Sequence, residues 1–136
     1  MLFRSVWNGV VFVGAGNDAL RAFPISGAAL ATSPSSLSIE NQGLMGATPV
    51  VTSQGASMGI VWLLDNDANG TFNGSATGPA ILRAYDATNL ESLLYSSEAN
   101  AADTCGNAVK FAVPTVANGK VYAGGSGQMT VYGLLP

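Results

Sequence analysis

The segment Asp65-Asn66-Asp67-Ala68-Asn69-Gly70-Thr71-Phe72-Asn73 carries oxygen-bearing side chains at its first, third, fifth and ninth positions and glycine at its sixth. That spacing suits a calcium loop. Hard cations take oxygen ligands, the glycine allows the sharp turn that lets the donors converge, and the seventh residue offers its carbonyl. Asp65, Asp67, Asn69, Thr71 and Asn73 are therefore the candidate calcium ligands. The twelfth position is Ala76, so the bidentate carboxylate of the helix-loop-helix version is missing. With two charged ligands the expected dissociation constant is of order 10⁻⁴–10⁻³ M. The same residues equally suit a solvated Asp/Asn/Gly hairpin loop. Asn69-Gly70-Thr71 and Asn73-Gly74-Ser75 also match the N-glycosylation acceptor pattern, which matters only in a secretory host.

Other residues invite chemistry and lose it on inspection. Gly14-Ala15-Gly16-Asn17-Asp18-Ala19 fits G-x-G-x-x-A, the loop that brings a helix N-terminus to a pyrophosphate. No long helix can follow, because Pro24 arrives six residues after Asp18, so the motif reads as a Gly-rich turn between two strands. Cys105 has only Lys110 as a cation close in sequence, and an inert thiol is expected. Trp7 and Trp62 read as packing between structural units. The chain contains no histidine, which excludes His-based triads, Cys-His proteases and His-ligated zinc or haem. A single cysteine excludes an internal disulfide. A net charge of −3 with five basic residues scattered singly argues against nucleic acid as a partner. No apolar run approaches the ~20 residues of a membrane span. Met1 to Trp7 lacks the basic and long apolar regions of a signal peptide.

The elements that would position these residues come from a repeat. Gly9-Val10-Val11-Phe12-Val13, Gly59-Ile60-Val61-Trp62-Leu63 and Gly119-Lys120-Val121-Tyr122-Ala123 are three versions of one pentad, offset by 50 and then 60 residues. Each reads as a strand entered through a turn, and Asn8-Gly9 and Asn118-Gly119 are strong hairpin signals. Downstream stand Leu20-Arg21-Ala22-Phe23, Leu82-Arg83-Ala84-Tyr85 and Met129-Thr130-Val131-Tyr132, each ending on an aromatic residue. A fourth segment follows twice, as Gly27-Ala28-Ala29-Leu30 and Glu91-Ser92-Leu93-Leu94-Tyr95, while residues 32–38 read as a Ser/Thr/Pro loop. The chain is thus predicted to be all-β, a partial β-propeller of about eleven short strands. It forms a single domain over 1–136, with three antiparallel four-stranded blades over roughly 5–40, 46–100 and 108–136, the last one strand short. The pentad residues Val11, Phe12, Val61, Trp62, Val121 and Tyr122 are expected on second strands.

Thr48-Pro49-Val50-Val51, Leu82-Arg83-Ala84-Tyr85-Asp86-Ala87 and Asn118-Gly119-Lys120-Val121-Tyr122-Ala123-Gly124 together resemble the pyrroloquinoline-quinone-like repeat. This is the repeat of the quinoprotein-type β-propellers and their non-catalytic relatives. The segments 78–90, 109–122 and 132–136 resemble the closing blades of bacterial secreted members. The resemblance implies a propeller fold and a periplasmic or extracellular location. Catalytic members hold quinone and calcium with an acid/amide set, and many add a pair of adjacent cysteines; neither is recognisable here. The function expected is therefore that of a non-catalytic propeller fragment, a structural or binding module, with no cofactor beyond calcium. The alternatives are the C-terminal part of a quinone-dependent dehydrogenase whose catalytic residues lie outside this chain, and an interaction scaffold for envelope protein assembly. Bare terminal faces and an unpaired strand edge favour self-association, with a dimer approximating a six-bladed ring as the expected form.

Overall fold

The computed structural model describes residues 4–69 and 78–133. Among them are twelve strands and no α-helix; the three helical turns, Asp67–Asn69, Ser97–Ala99 and Ala101–Asp103, are 3-10. The first sheet runs β1 (Arg4–Trp7), β2 (Val10–Gly14), β3 (Ala19–Ser26), with β4 (Ala29–Leu30) and β5 (Ser36–Asn41) both paired to β3. The second runs β6 (Val50–Gln54), β7 (Ser57–Asp65), β8 (Ile81–Asp86), β9 (Asn89–Ser96). The third runs β10 (Thr115–Ala117), β11 (Lys120–Gly125), β12 (Gln128–Gly133). All pairings are antiparallel between neighbours, as a chain with tight hairpin turns dictates. The Asn-Gly turns behave as their chemistry requires: Asn8 and Gly9 have φ of 48° and 75°, Asn118 and Gly119 of 51° and 71°. Val11, Phe12, Val61, Trp62, Val121 and Tyr122 all lie on second strands, β2, β7 and β11.

The fourth strand of the first sheet departs from expectation. The segment at 27–30 contributes only the two residues of β4, and the stretch read as a loop over 32–38 runs into β5 from Ser36. Pro34 has no amide to donate; the backbone bonds β3 from Ala31 and again from Ser35, and the ladder breaks over the residues between them. The strand count is accordingly twelve. Where β5 and β3 slip register between Ala19 and Arg21, the Ser38 hydroxyl accepts the Leu20 amide at 3.0 Å. The second sheet repeats the device: Ser97, just past β9, accepts the Leu82 amide at 3.0 Å.

Period-two alternation sends each second strand to two neighbours. Phe12, Leu20 and Ala22 of the first sheet pack on Val61, Leu63 and Tyr85 of the second. The opposite face of the second sheet, Trp62, Leu64 and Leu82, packs on Val121 and Ala123 of the third. Like strands meet like: β1 lies against β6, β6 against β10, and β5 against β9. The second sheet is therefore buried on both sides, and two cores separate three sheets.

Candidate functional site

Two places in this stack gather polar chemistry. The first is the end of β7. Asp65 is the last residue of that strand and points to the face turned toward the first sheet, the face of Val61 and Leu63. On β8, Arg83 stands opposite Leu63 and so shares that face. Its Nη1 donates to Asp65 Oδ2 at 2.7 Å and its Nη2 to Glu98 Oε2 at 2.9 Å. Asp65 Oδ1 accepts the amides of Asp67, at 3.0 Å, and of Gly43, at 3.3 Å. The Gly43 amide comes from the loop that follows the first sheet, so the buried ion pair also ties two sheets together. Burial works against the charged guanidinium, but the two carboxylates outweigh it and hold the Arg83 pKa above its ordinary value. Both oxygens of Asp65 thereby accept hydrogen bonds, and the Arg83 charge offsets the carboxylate's attraction for a calcium ion.

Of the remaining calcium-loop residues, the side chain of Asp67 is described, and it lies against Gly43. Asp67 opens the 3-10 turn and is exposed. The side chain of Asn69 and all of Thr71 and Asn73 lie outside the described residues. Among the described residues no three acidic, cysteine or histidine side chains come together as a metal-binding group.

The second place is a cleft of about 900 Å³ between the second and third sheets. Trp62, Tyr95, Val116, Val121 and Tyr132 line it, and Asp103 is its charged member. Tyr95 Oη donates to Asp103 Oδ2 at 2.9 Å, and the Tyr95 and Tyr132 rings meet edge to face at 6.1 Å. Tyr132 Oη donates to the Asp103 carbonyl at 2.7 Å, which leaves its lone pair to accept the Cys105 thiol, also at 2.7 Å. Burial first, and the Cys105 and Asp103 contacts second, push the Tyr132 pKa up; burial and Asp103 do the same for Tyr95. Cys105 itself is fully buried in the segment joining β9 to β10. It is a core residue of the second interface rather than a surface thiol. An apolar cleft with aromatic walls and one carboxylate suits a small ligand with a flat or apolar body and a donor or cationic group.

Both tryptophans sit between sheets. The Trp7 ring lies over Gly59, its Nε1 donating to the Gly55 carbonyl at 2.9 Å. Trp62 donates to Thr52 Oγ1 at 2.9 Å and packs on the second core. The Gly14–Ala19 segment is the turn from β2 to β3, in which the Asn17 φ of 55° takes the left-handed conformation. No family model matches the chain, and no match is found among curated proteins or solved structures.

Sequence reasoning overlooked Arg83, Glu98, Tyr95 and Asp103. One signal for the first was available: Leu-Arg-Ala-aromatic occurs twice, placing Arg21 and Arg83 at the same position of the repeat. A charge recurring inside an apolar tetrad implies a built partner, and each has one, Asp18 for Arg21 and Asp65 for Arg83.

Proposed function

We propose that this chain is a non-catalytic structural or binding module, a partial β-propeller of the pyrroloquinoline-quinone-like repeat type. One observation carries the reading. The three sheets repeat head to tail, with Phe12 and Trp62 at the same pentad position, each turned to the following sheet. Val61 and Val121, at the preceding pentad position, are each turned to the sheet before. The Ser38 and Ser97 hydroxyls repair the ladder at the same place in two units. Successive blades of a propeller are related in this way. The cleft between the second and third sheets is where such a module would take a small ligand.

Addition of pyrroloquinoline quinone with calcium, followed by dye-linked alcohol oxidation and by Trp62 fluorescence, tests the non-catalytic part. No turnover is expected, and turnover would establish the dehydrogenase alternative. A crystal structure in which the sheets share no common rotation axis would overturn the propeller part.

A further inference from the structure

The two outermost faces of the stack are the two halves of a contact that the chain already makes twice. The faces turned to a following sheet are Phe12, Leu20 and Ala22 in the first sheet and Trp62, Leu82 and Ala84 in the second. The repeat positions in the third are Tyr122, Met129 and Val131. Register confirms that they share a face: Tyr122 stands opposite Val131, and Met129 opposite Gly124. Leu20 and Leu82 are 0% exposed, Ala22 2% and Ala84 1%, whereas Met129 is 67% and Val131 50% exposed. The glycine between them tells the same story. A Cβ on Gly14 would collide with the Ala47 carbonyl of the segment leading to the next sheet, whereas the space above its counterpart Gly124 is open.

The first sheet shows the complementary half. Val61, Leu63, Arg83 and Tyr85 form the face that the second sheet turns to the sheet before it. Their counterparts Val11, Val13, Arg21 and Phe23 lie on the outer face of the first sheet, where Val13 is 9% exposed and the other three are half-buried. Val6, opposite Val11 on β1, and Leu37, opposite Arg21 on β5, extend this outer face and are 60% and 42% exposed. The arginine is repeated, with a carboxylate from a different position. Arg83 and Asp65 are sealed beneath the first sheet, whereas Arg21 pairs with Asp18 of the preceding turn, and both of these side chains are partly exposed.

We propose that a second copy of this chain covers these faces, the Tyr122–Met129–Val131 face of one copy docking head to tail on the Val6–Val11–Leu37 face of another. The inference rests on the repeat reading of the preceding subsection. It identifies the partner through continuity with the two internal contacts, each of which joins the same two kinds of face. Size sets the form. Three strands of about six residues, with strands ~4.8 Å apart and a rise of ~3.3 Å per residue, cover roughly 300 Å². One contact therefore buries about 600 Å² over both partners and is weak, while two contacts in a closed pair bury about 1,200 Å², the lower bound for a specific stable interface. A heterologous contact closes into a ring when its rotation allows, so the closed pair is the form assigned.

Sedimentation of the full chain from micromolar to millimolar concentration tests this, with far-ultraviolet circular dichroism as a check of folding. Val6→Asp with Leu37→Asp marks one face, and Met129→Asp with Val131→Asp marks the other. All four positions are exposed in the single chain, so the variants keep their strands. The expected result is a two-chain mass for the wild type, a one-chain mass for each double variant, and partial recovery of two-chain mass when the two variants are mixed. A folded wild type that stays one chain at every concentration would overturn the proposal, leaving the repeat reading intact and the faces to further sheets of the same kind. Association that either double variant retains would overturn it too. A chain without strand structure would overturn both readings.

Discussion

Replacing Arg83 by alanine isolates the energetics of the one buried ion cluster described between the first two sheets. Its side chain is 8% exposed and that of Asp65 is 5%, while the Glu98 partner is 56% exposed and contributes little. Removing one member of a buried pair strands the other in a medium of low polarity, at a cost of about 3–5 kcal/mol. Asp65 would keep the amides of Gly43 and Asp67, which places the loss toward the lower end of that range. Unfolding entropy of about 2.1 cal/mol/K per residue converts 3–5 kcal/mol into a fall of roughly 10–17 °C in the midpoint of a chain of 136 residues. The repeat supplies its own control. Arg21→Ala removes the equivalent arginine, whose pair with Asp18 is solvated on both sides, and should move the midpoint far less. Added salt should weaken what remains of the Arg21 contribution and leave that of Arg83 nearly unchanged. Thermal and urea unfolding followed by circular dichroism measure both. Asp65→Leu combined with Arg83→Met should recover most of the loss, because an apolar pair of similar volume needs no desolvation. Equal midpoints for Arg83→Ala and the wild type, or equal losses for the two arginines, would refute the argument that burial sets the difference.

Three further outcomes follow from the same interfaces. A Cβ at Gly59 would come within 2.6 Å of the Trp7 ring and 2.8 Å of the Ala87 Cβ, so Gly59→Ala should cost about 1–3 kcal/mol and redden the tryptophan emission as Trp7 is pushed outward. Tyr85, Tyr95 and Tyr132 have pKa values raised by burial in the fold, so the unfolded chain loses these protons first. Stability from these groups is complete below about pH 10 and falls as pH rises beyond it, so phenolate absorbance and unfolding should rise together; three phenols that ionise in the folded chain near pH 10 would contradict this. Because Arg83 already neutralises Asp65, millimolar calcium should leave the wild-type midpoint unchanged. A midpoint that rises with calcium, and ceases to rise in Asp67→Asn, would establish the loop that the spacing of Asp65 to Asn73 suggests.

The repeat made most of the sheet architecture legible, because a turn such as Asn118-Gly119 and a pentad such as Gly-Lys-Val-Tyr-Ala fix a strand by local chemistry alone. The missed strand shows the limit. Ser36-Leu37-Ser38-Ile39-Glu40 alternates with period two, but Pro34 and four nearby Ser and Thr residues argue locally for a loop. Only pairing with β3 decides between the two, and pairing is not a local property. The candidate sites were less legible for the same reason. The oxygen spacing from Asp65 to Asn73 suggests a ligand set, yet what governs Asp65 is Arg83, 18 residues away on the next strand, and an amide from a loop 22 residues earlier. Asp103, Cys105 and Tyr132 meet only because the segment between β9 and β10 folds under β12.

That contrast bears on how the molecule works. Residues that the repeat specifies, such as Phe12, Leu20, Leu64 and Leu82, build interfaces. Residues that break the repeat sit at the polar places between them. Asp65 takes the position held by Ala15 in the first unit, and Cys105 and Asp103 belong to a connection with no counterpart of equal length. A stack of similar sheets gains stability from the positions it repeats and chemical individuality from those it does not. The cleft around Trp62, Tyr95 and Tyr132 is lined by both kinds. Its walls are inherited from the strand pattern, and its one carboxylate comes from the irregular segment. For the small ligand proposed for that cleft, Asp103 and its neighbours would supply selectivity and the aromatic walls affinity.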